Sequence, residues 1–247
     1  MTRHEFLTAL HALLKPKVYL EVGVQHGTSL ALCQFGTTQG YGIDPNPLVD
    51  WPGLFRMTSD QFFDIADPDN LDGLLGGRVD LGFIDGMHLV EFALRDFIGM
   101  ERLCQPATFR ETETAYVQVE ASTSVIVFDD VLPRNQAEAA RDQCPGDWTG
   151  DVWRIDEILS RFRTDLDLML IDTQPTGLLV VTNLNPDNRI LSERADDIAT
   201  RWPPEEQTVP AAILARAEAW QPPDALQAIA DWWRILSATR PRPEVAQ

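Results

Sequence analysis

Cysteine is scarce in this chain: only Cys33, Cys104 and Cys144 occur in 247 residues. The count is odd and no CxxC pair is present, so neither a disulfide framework nor a thiolate zinc centre is expected, and a reducing cytoplasm is the expected compartment. Positive charge is also short, with 20 Lys and Arg against 38 Asp and Glu and a formal net charge of −18. Nucleic acid binding draws its affinity from Lys and Arg that release phosphate counterions, so nucleic acid is not an expected partner. A small molecule is. Long apolar runs are missing too: no stretch approaches the roughly 18 uninterrupted apolar residues of a membrane span. Met1 to Lys15 carries apolar residues at helical spacing (Phe6, Leu7, Leu10, Leu13, Leu14) without a basic leader, apolar block or small-residue cleavage site, and reads as a first helix. The GxSxG nucleophile elbow is absent, which removes hydrolases of that type.

Between Lys17 and Val181, short β-branched or apolar runs alternate with helical stretches, the pattern of a largely parallel sheet wrapped by helices. Strands are expected at Val18–Val22, Gly40–Ile43, Leu54–Met57, Leu81–Ile84, Ser124–Phe128, Leu168–Ile171 and Leu178–Val181. Helices are expected at Thr28–Phe35, Leu89–Leu103, Asn135–Gln143 and Asp151–Phe162. The connection Asp172–Gly177 is too short for a crossover helix, so the last two strands should pair antiparallel. The expected fold is α/β: a Rossmann-like, doubly wound, mostly parallel seven-stranded sheet with an antiparallel last strand. Gln105–Thr123 is polar and long for a loop, and reads as an insertion near the site. After Asn183 prolines cluster and helices are expected at Leu191–Trp202, Ala211–Trp220 and Ala225–Leu236. The chain thus divides into a main domain, 1–183, and a helical C-terminal appendage, 184–247, whose Trp202, Trp220, Trp232 and Trp233 read as packing residues.

The stretch Glu21-Val22-Gly23-Val24-Gln25-His26-Gly27-Thr28-Ser29 puts two glycines four apart between a strand and a helix, where glycine permits a tight turn and close approach of a ligand. Asp44 closes the next strand, where a carboxylate can accept hydrogen bonds from both ribose hydroxyls of an adenosine. A nicotinamide cofactor and S-adenosylmethionine both satisfy this pattern. The spacing separates them: a pyrophosphate needs GxGxxG, and this chain has ExGxxxG. Glu21 beside a pyrophosphate would be costly, whereas beside a sulfonium and an ammonium it is favourable. The segment resembles the class I S-adenosylmethionine-dependent methyltransferases, whose first strand ends in an acidic residue followed by GxxxG. The resemblance implies that Glu21, Gly23, Gly27, Thr28, Ser29 and Asp44 line a cofactor site. It also places Ser59 and Asp60 beside the adenine, although either could simply cap a helix running through Phe62 and Phe63.

Phe83-Ile84-Asp85-Gly86-Met87-His88 and Val127-Phe128-Asp129-Asp130 end the fourth and fifth strands, and neighbouring strand ends in such a sheet open onto one crevice. Three converging carboxylates repel unless neutralised, and oxygen ligands without cysteine suit Mg²⁺ held by Asp85, Asp129 and Asp130. The structural alternative makes Asp129 and Asp130 caps of a helix near Arg134–Gln136 and Asp85 a turn residue. The FIDGxH segment with a later strand ending in DD resembles the metal-dependent small-molecule O-methyltransferases of the catechol and sugar type. That likeness spans Tyr19 to Val181. It implies methyl transfer to a hydroxyl, with His88 as general base beside Asp85, or His88 as a helix-starting residue without a chemical role. Arg134, Trp148 and Asp151 would border the acceptor pocket, and Trp153 would be core. An NAD-dependent oxidoreductase and a non-catalytic cofactor-binding protein remain the rival readings, and the two terminal helical segments could serve a homodimer.

Overall fold

The computed structural model describes residues 1–106, 108–111, 116–120 and 122–239, without the side chains of residues 35, 108–111, 116–120 and 237–239. The chain opens with α1 (Arg3–Leu14), β1 (Val18–Val22), a 3-10 helix (Leu30–Phe35), β2 (Gln39–Ile43) and β3 (Leu54–Phe55). Next come α2 (Ser59–Ile65), α3 (Asp72–Leu75), β4 (Leu81–Ile84), α4 (Val90–Arg102), β5 (Thr108–Glu111), β6 (Tyr116–Glu120) and β7 (Val125–Asp129). A second 3-10 turn (Val152–Arg154) leads into α5 (Ile155–Phe162), followed by β8 (Asp167–Ile171) and β9 (Leu178–Thr182). The C-terminal part is α6 (Ile190–Glu193), α7 (Ala195–Arg201), α8 (Ala211–Leu214) and α9 (Pro222–Thr239).

Seven strands form one sheet in the order β3-β2-β1-β4-β7-β9-β8. Pairing is parallel from β3 through β7, and β9 runs antiparallel to both its neighbours, as the short 172–177 connection requires. Alternate strand residues feed two cores: Leu20, Val22, Ile84, Phe128 and Leu179 face α2, α4 and α5, while Tyr19, Phe83, Val127 and Val180 face α1 and α9. Every residue of β1, β4, β7 and β9 is buried, as expected of strands covered on both faces. The fold expected from the sequence is therefore the fold found. The appendage joins the same cores, through Leu191, Ile198 and Trp202 on one face and Ala225 and Ile229 on the other. No described helix is long and apolar enough to cross a membrane.

Four expectations need correction. The first crossover is a six-residue 3-10 helix rather than an α-helix over Thr28–Phe35, because it lies almost on the sheet: side chains of Cys33 and Leu30 sit where Cβ atoms of Gly40 and Gly42 would be. Asn135–Gln143 is not helical. Glu138 there accepts from the Arg134 amide and guanidinium and from the Asn135 side chain, and these local bonds compete with a helical ladder. The helix at Ala211 stops at Leu214, since Arg216 turns with φ +51° to reach Asp172 and the carbonyls of Thr173, Leu132 and Pro175. The insertion contains the antiparallel hairpin β5–β6, rooted by a Gln105 amide donating to Ser124 and a Ser122 hydroxyl donating to Gln105. Those roots lie at the amino-terminal end of β7, across the sheet from the expected site; residues 107, 112–115 and 121 of that insertion lie outside the described residues.

Candidate functional site

The carboxyl ends of β1, β2, β4 and β7 meet on one edge, and the turn after β1 rests on the turn after β4. A Cβ on Gly23, whose φ is +85°, would lie 1.9 Å from the Asp85 carbonyl oxygen, so only glycine lets the two turns touch. Gly27, at φ +69°, would similarly meet Val49. Asp44 ties the turn to β2: its Oδ2 accepts from the amides of Val24 (3.0 Å) and Gln25 (2.9 Å), and its Oδ1 from Asn46 (2.7 Å). Three of the four lone-pair sites of the carboxylate are thereby used, leaving one on Oδ1.

Glu21 is fully buried behind this turn, where its Oε2 accepts from the Tyr19 hydroxyl at 2.6 Å. Burial pushes its pKa up to about 8, against the opposing pull of Tyr19 and of Ser29 close by, so the group is largely neutral at pH 7. Among the described residues its Oε1 has no hydrogen-bond partner. Thr28 is exposed and Ser29 is buried at the start of the crossover.

The segment after β3 holds α2 by a capping box in which Thr58, rather than Ser59 or Asp60, is the N-cap and Gln61 closes it. Asp60 is exposed and accepts from Nε and Nη2 of Arg95, each at 3.1 Å. Ser59 instead pairs with Asp96, a buried carboxylate on α4 whose pKa burial raises to about 6. Asp96 lines a small cavity with Asp85, Gly86, Met87, His88 and Asp129. Sequence reasoning passed over it, although a lone carboxylate among Ala93, Leu94, Phe97 and Met100 on the buried face of α4 was a visible signal.

The metal-binding set expected from the sequence, Asp85, Asp129 and Asp130, is not the set whose ligand atoms come together, since Asp129 is taken by Arg3 and His88 stands in its place. Ligand atoms of Asp85, His88 and Asp130 all lie within 4.8 Å of one another. Asp129 and Asp130 do not cap a helix, since residues 131–151 form none; Asp130 turns at φ +61° and its amide donates to the Asp129 carboxylate at 2.9 Å. His88 Nε2 is 3.0 Å from Asp85 Oδ1, and its Nδ1 faces the Trp148 carbonyl at 2.9 Å and Asp130 Oδ2 at 3.1 Å. Acceptors on both ring nitrogens hold an imidazolium: burial alone would lower the His88 pKa, but Asp85, Asp130 and the carbonyl together raise it to about 9. Burial and the neighbouring acids raise Asp130 to about 6 and move Asp129 upward as well.

Two further groups finish this cluster, and neither was expected. Arg3, on the first turn of α1, reaches across to Asp129, with the same nitrogen 3.7 Å from Asp85 Oδ2. Gly150 packs so closely under His88 that a Cβ there would lie 1.7 Å from the His88 carbonyl oxygen. Of the residues expected near the acceptor, Trp148 stacks on the His88 ring at 5.1 Å. Asp151 is a buried strut, accepting from the Val90 amide, Arg141 and Arg154, while its own amide donates to the His88 carbonyl. Arg134 is engaged by Glu138 and Asp147, and Trp153 is buried as expected.

No protein-family model matches the sequence, and no curated protein matches it. Solved structures do match. A Staphylococcus aureus protein assigned as a caffeoyl-CoA O-methyltransferase aligns over 73% of this chain and 82% of its own at 12% identity, with a TM-score of 0.51. The Bacillus cereus O-methyltransferase in complex with SAH aligns over 73% and 80% at 14% identity, TM-score 0.46. The Streptomyces achromogenes O-methyltransferase TomG, involved in tomaymycin synthesis and solved with SAM, aligns over 74% and 79% at 16% identity, TM-score 0.46. The first of these likenesses places the chain in the Rossmann-like fold that such methyltransferases adopt.

Proposed function

We propose that the chain transfers a methyl group from S-adenosylmethionine to a hydroxyl of a small molecule. One observation carries this reading: the Gly23 turn with its Asp44 tie lies directly against Asp85, so a nucleoside site and a charged crevice share one edge at the point where the strand order reverses. Residues 1–183 form the catalytic unit in this reading and 184–247 the appendage.

The residues present fit the cofactor. Asp44 would accept from a ribose hydroxyl with the remaining lone pair of Oδ1, Ser59 and Asp60 would border the base, and Glu21 would offer the orphaned Oε1 at the turn. Gly23, Gly27, Thr28 and Ser29 shape the approach. The bound cofactor supplies an electrophilic methyl carbon; the protein supplies orientation and charge. His88 takes the acceptor proton, with Asp85 fixing its ring through Nε2. Its starting state is the imidazolium, so turnover requires the proton on one nitrogen to leave first. The expected pH profile of kcat/KM therefore rises toward about 9, the side on which the imidazole is neutral. Asp85 and Asp130, which lie with His88 within 4.8 Å of one another, together with Asp129 once Arg3 is withdrawn from it, would hold a hard divalent cation, and such an ion would polarise an acceptor oxygen.

Isothermal titration with S-adenosylhomocysteine tests the reading. Binding in the micromolar range, weakened at least tenfold in Asp44→Ala, is the expected result. No binding, together with binding of NADH, would sink it.

A further inference from the structure

Asp129 is the most buried of the three converging aspartates, with its side chain 1% exposed, and a buried carboxylate next to two others needs a cation. The cation in the structure is Arg3. Its guanidinium contacts Asp129 and lies between it and Asp85, the carboxylates at the ends of β7 and β4. With His88 between Asp85 and Asp130, the cluster sets two basic side chains against three carboxyl groups.

We propose that Arg3 is a displaceable internal counter-ion of this cluster: a divalent cation enters by pushing the guanidinium off Asp129, and the two are alternative occupants of one site. The proposal rests on the reading of Asp85, Asp129 and Asp130 as the metal-binding carboxylates. Three features make the exchange local. The Arg3 side chain is 31% exposed and reaches the cluster from the crevice mouth. The α1 cap, made by Thr2 and Glu5, does not use the guanidinium. The backbone beside Arg3 is held separately, by the Arg3 amide on the Gln174 carbonyl (3.1 Å) and the Gln174 amide on the Met1 carbonyl (3.0 Å). The side chain can therefore swing while its helix stays docked. Because the two cations bind competitively, removing one must strengthen the other.

Mn²⁺ titration followed by electron paramagnetic resonance, on the full chain and on Arg3→Gln, decides the matter. Arg3→Gln is expected to bind Mn²⁺ at least tenfold more tightly than the parent, and the added Asp129→Asn change to abolish that gain. Equal affinities, or no Mn²⁺ binding by Arg3→Gln, overturn the proposal. Should Arg3→Gln fail to fold, the parent protein still answers: its Arg3 Nε–Hε resonance must shift with Mg²⁺ along a saturating curve, and an unmoved resonance overturns the proposal. S-adenosylhomocysteine titration of the same samples reports separately on the cofactor site. Exchange without cofactor binding would leave this inference standing and remove the methyl-transfer reading.

Discussion

The two halves of the crevice solve the placement of acids in opposite ways. On the β1–β2 side the carboxyl groups are satisfied by uncharged donors at two adjacent strand ends: Asp44 takes the amides of Val24, Gln25 and Asn46, and Glu21 is buried, leans on Tyr19 two residues away and is largely neutral at pH 7. On the β4–β7 side they face charged groups: Arg3, brought from α1, and His88, three residues past Asp85 and held in place by Trp148 and Gly150 from a distant loop. The first arrangement is rigid and short-range, the second charged and assembled. A local arrangement tolerates changes elsewhere in the chain. An assembled one depends on every contributor.

The largest expected effect separates the two halves by a single methyl group. Gly150→Ala should destabilise the fold by at least about 3 kcal/mol in chemical denaturation, because Cβ meets the His88 carbonyl at 1.7 Å and φ is +55°. In the folded fraction, the His88 pKa measured by NMR should fall from about 9 toward its ordinary 6.5. Affinity for S-adenosylhomocysteine should change less than threefold, since the β1–β2 side is untouched. A weakened cofactor site with an unchanged His88 would reverse the comparison.

Acidity separates them next. Glu21 has a folded pKa of about 8, above its ordinary 4.5, so the native state holds this proton more tightly and stability from Glu21 falls as pH rises through that window. The slope approaches about 1.4 kcal/mol per pH unit for one proton, and Glu21→Gln should flatten it. His88 acts in the next window: its raised pKa contributes stability in full below about 6.5, lost as pH climbs through about 9. A curve of stability against pH that Glu21→Gln leaves unchanged between 5 and 8 would show that Glu21 is ionised in the native state.

The smallest effect concerns Arg134, read from the sequence as a neighbour of the acceptor. Its partners Glu138 and Asp147 form a solvent-exposed ion-pair network, and exposed pairs contribute little. Arg134→Gln should melt within experimental error of the parent.

The same contrast explains what could be read in advance. Strand positions, the β8–β9 hairpin, the glycine turn and the three converging aspartates were legible because each depends on residues a few places apart or on strand ends that a parallel sheet aligns. Arg3 was not, because a single arginine in a first helix carries no mark of the carboxylate it meets 126 positions later. The part Asp151 plays as a strut was not legible, since nothing in Trp-Thr-Gly-Asp announces partners as distant as Val90 or a carboxylate shared by Arg141 and Arg154. The helix expected at Asn135 failed for a further reason: a suitable periodicity lost to local side-chain hydrogen bonding around Glu138.

The strand at the outer edge of the sheet, β8, has a last consequence. Trp220 lies beside it as a one-residue bridge, its amide donating to the Leu170 carbonyl at 2.8 Å and its carbonyl accepting from the Asp172 amide at 2.9 Å. An uncovered edge is a template on which another chain can add a strand. Trp220 blunts the carboxyl end of that edge, and a chain shortened to end before it would leave the Leu170 carbonyl and the Asp172 amide open to another strand.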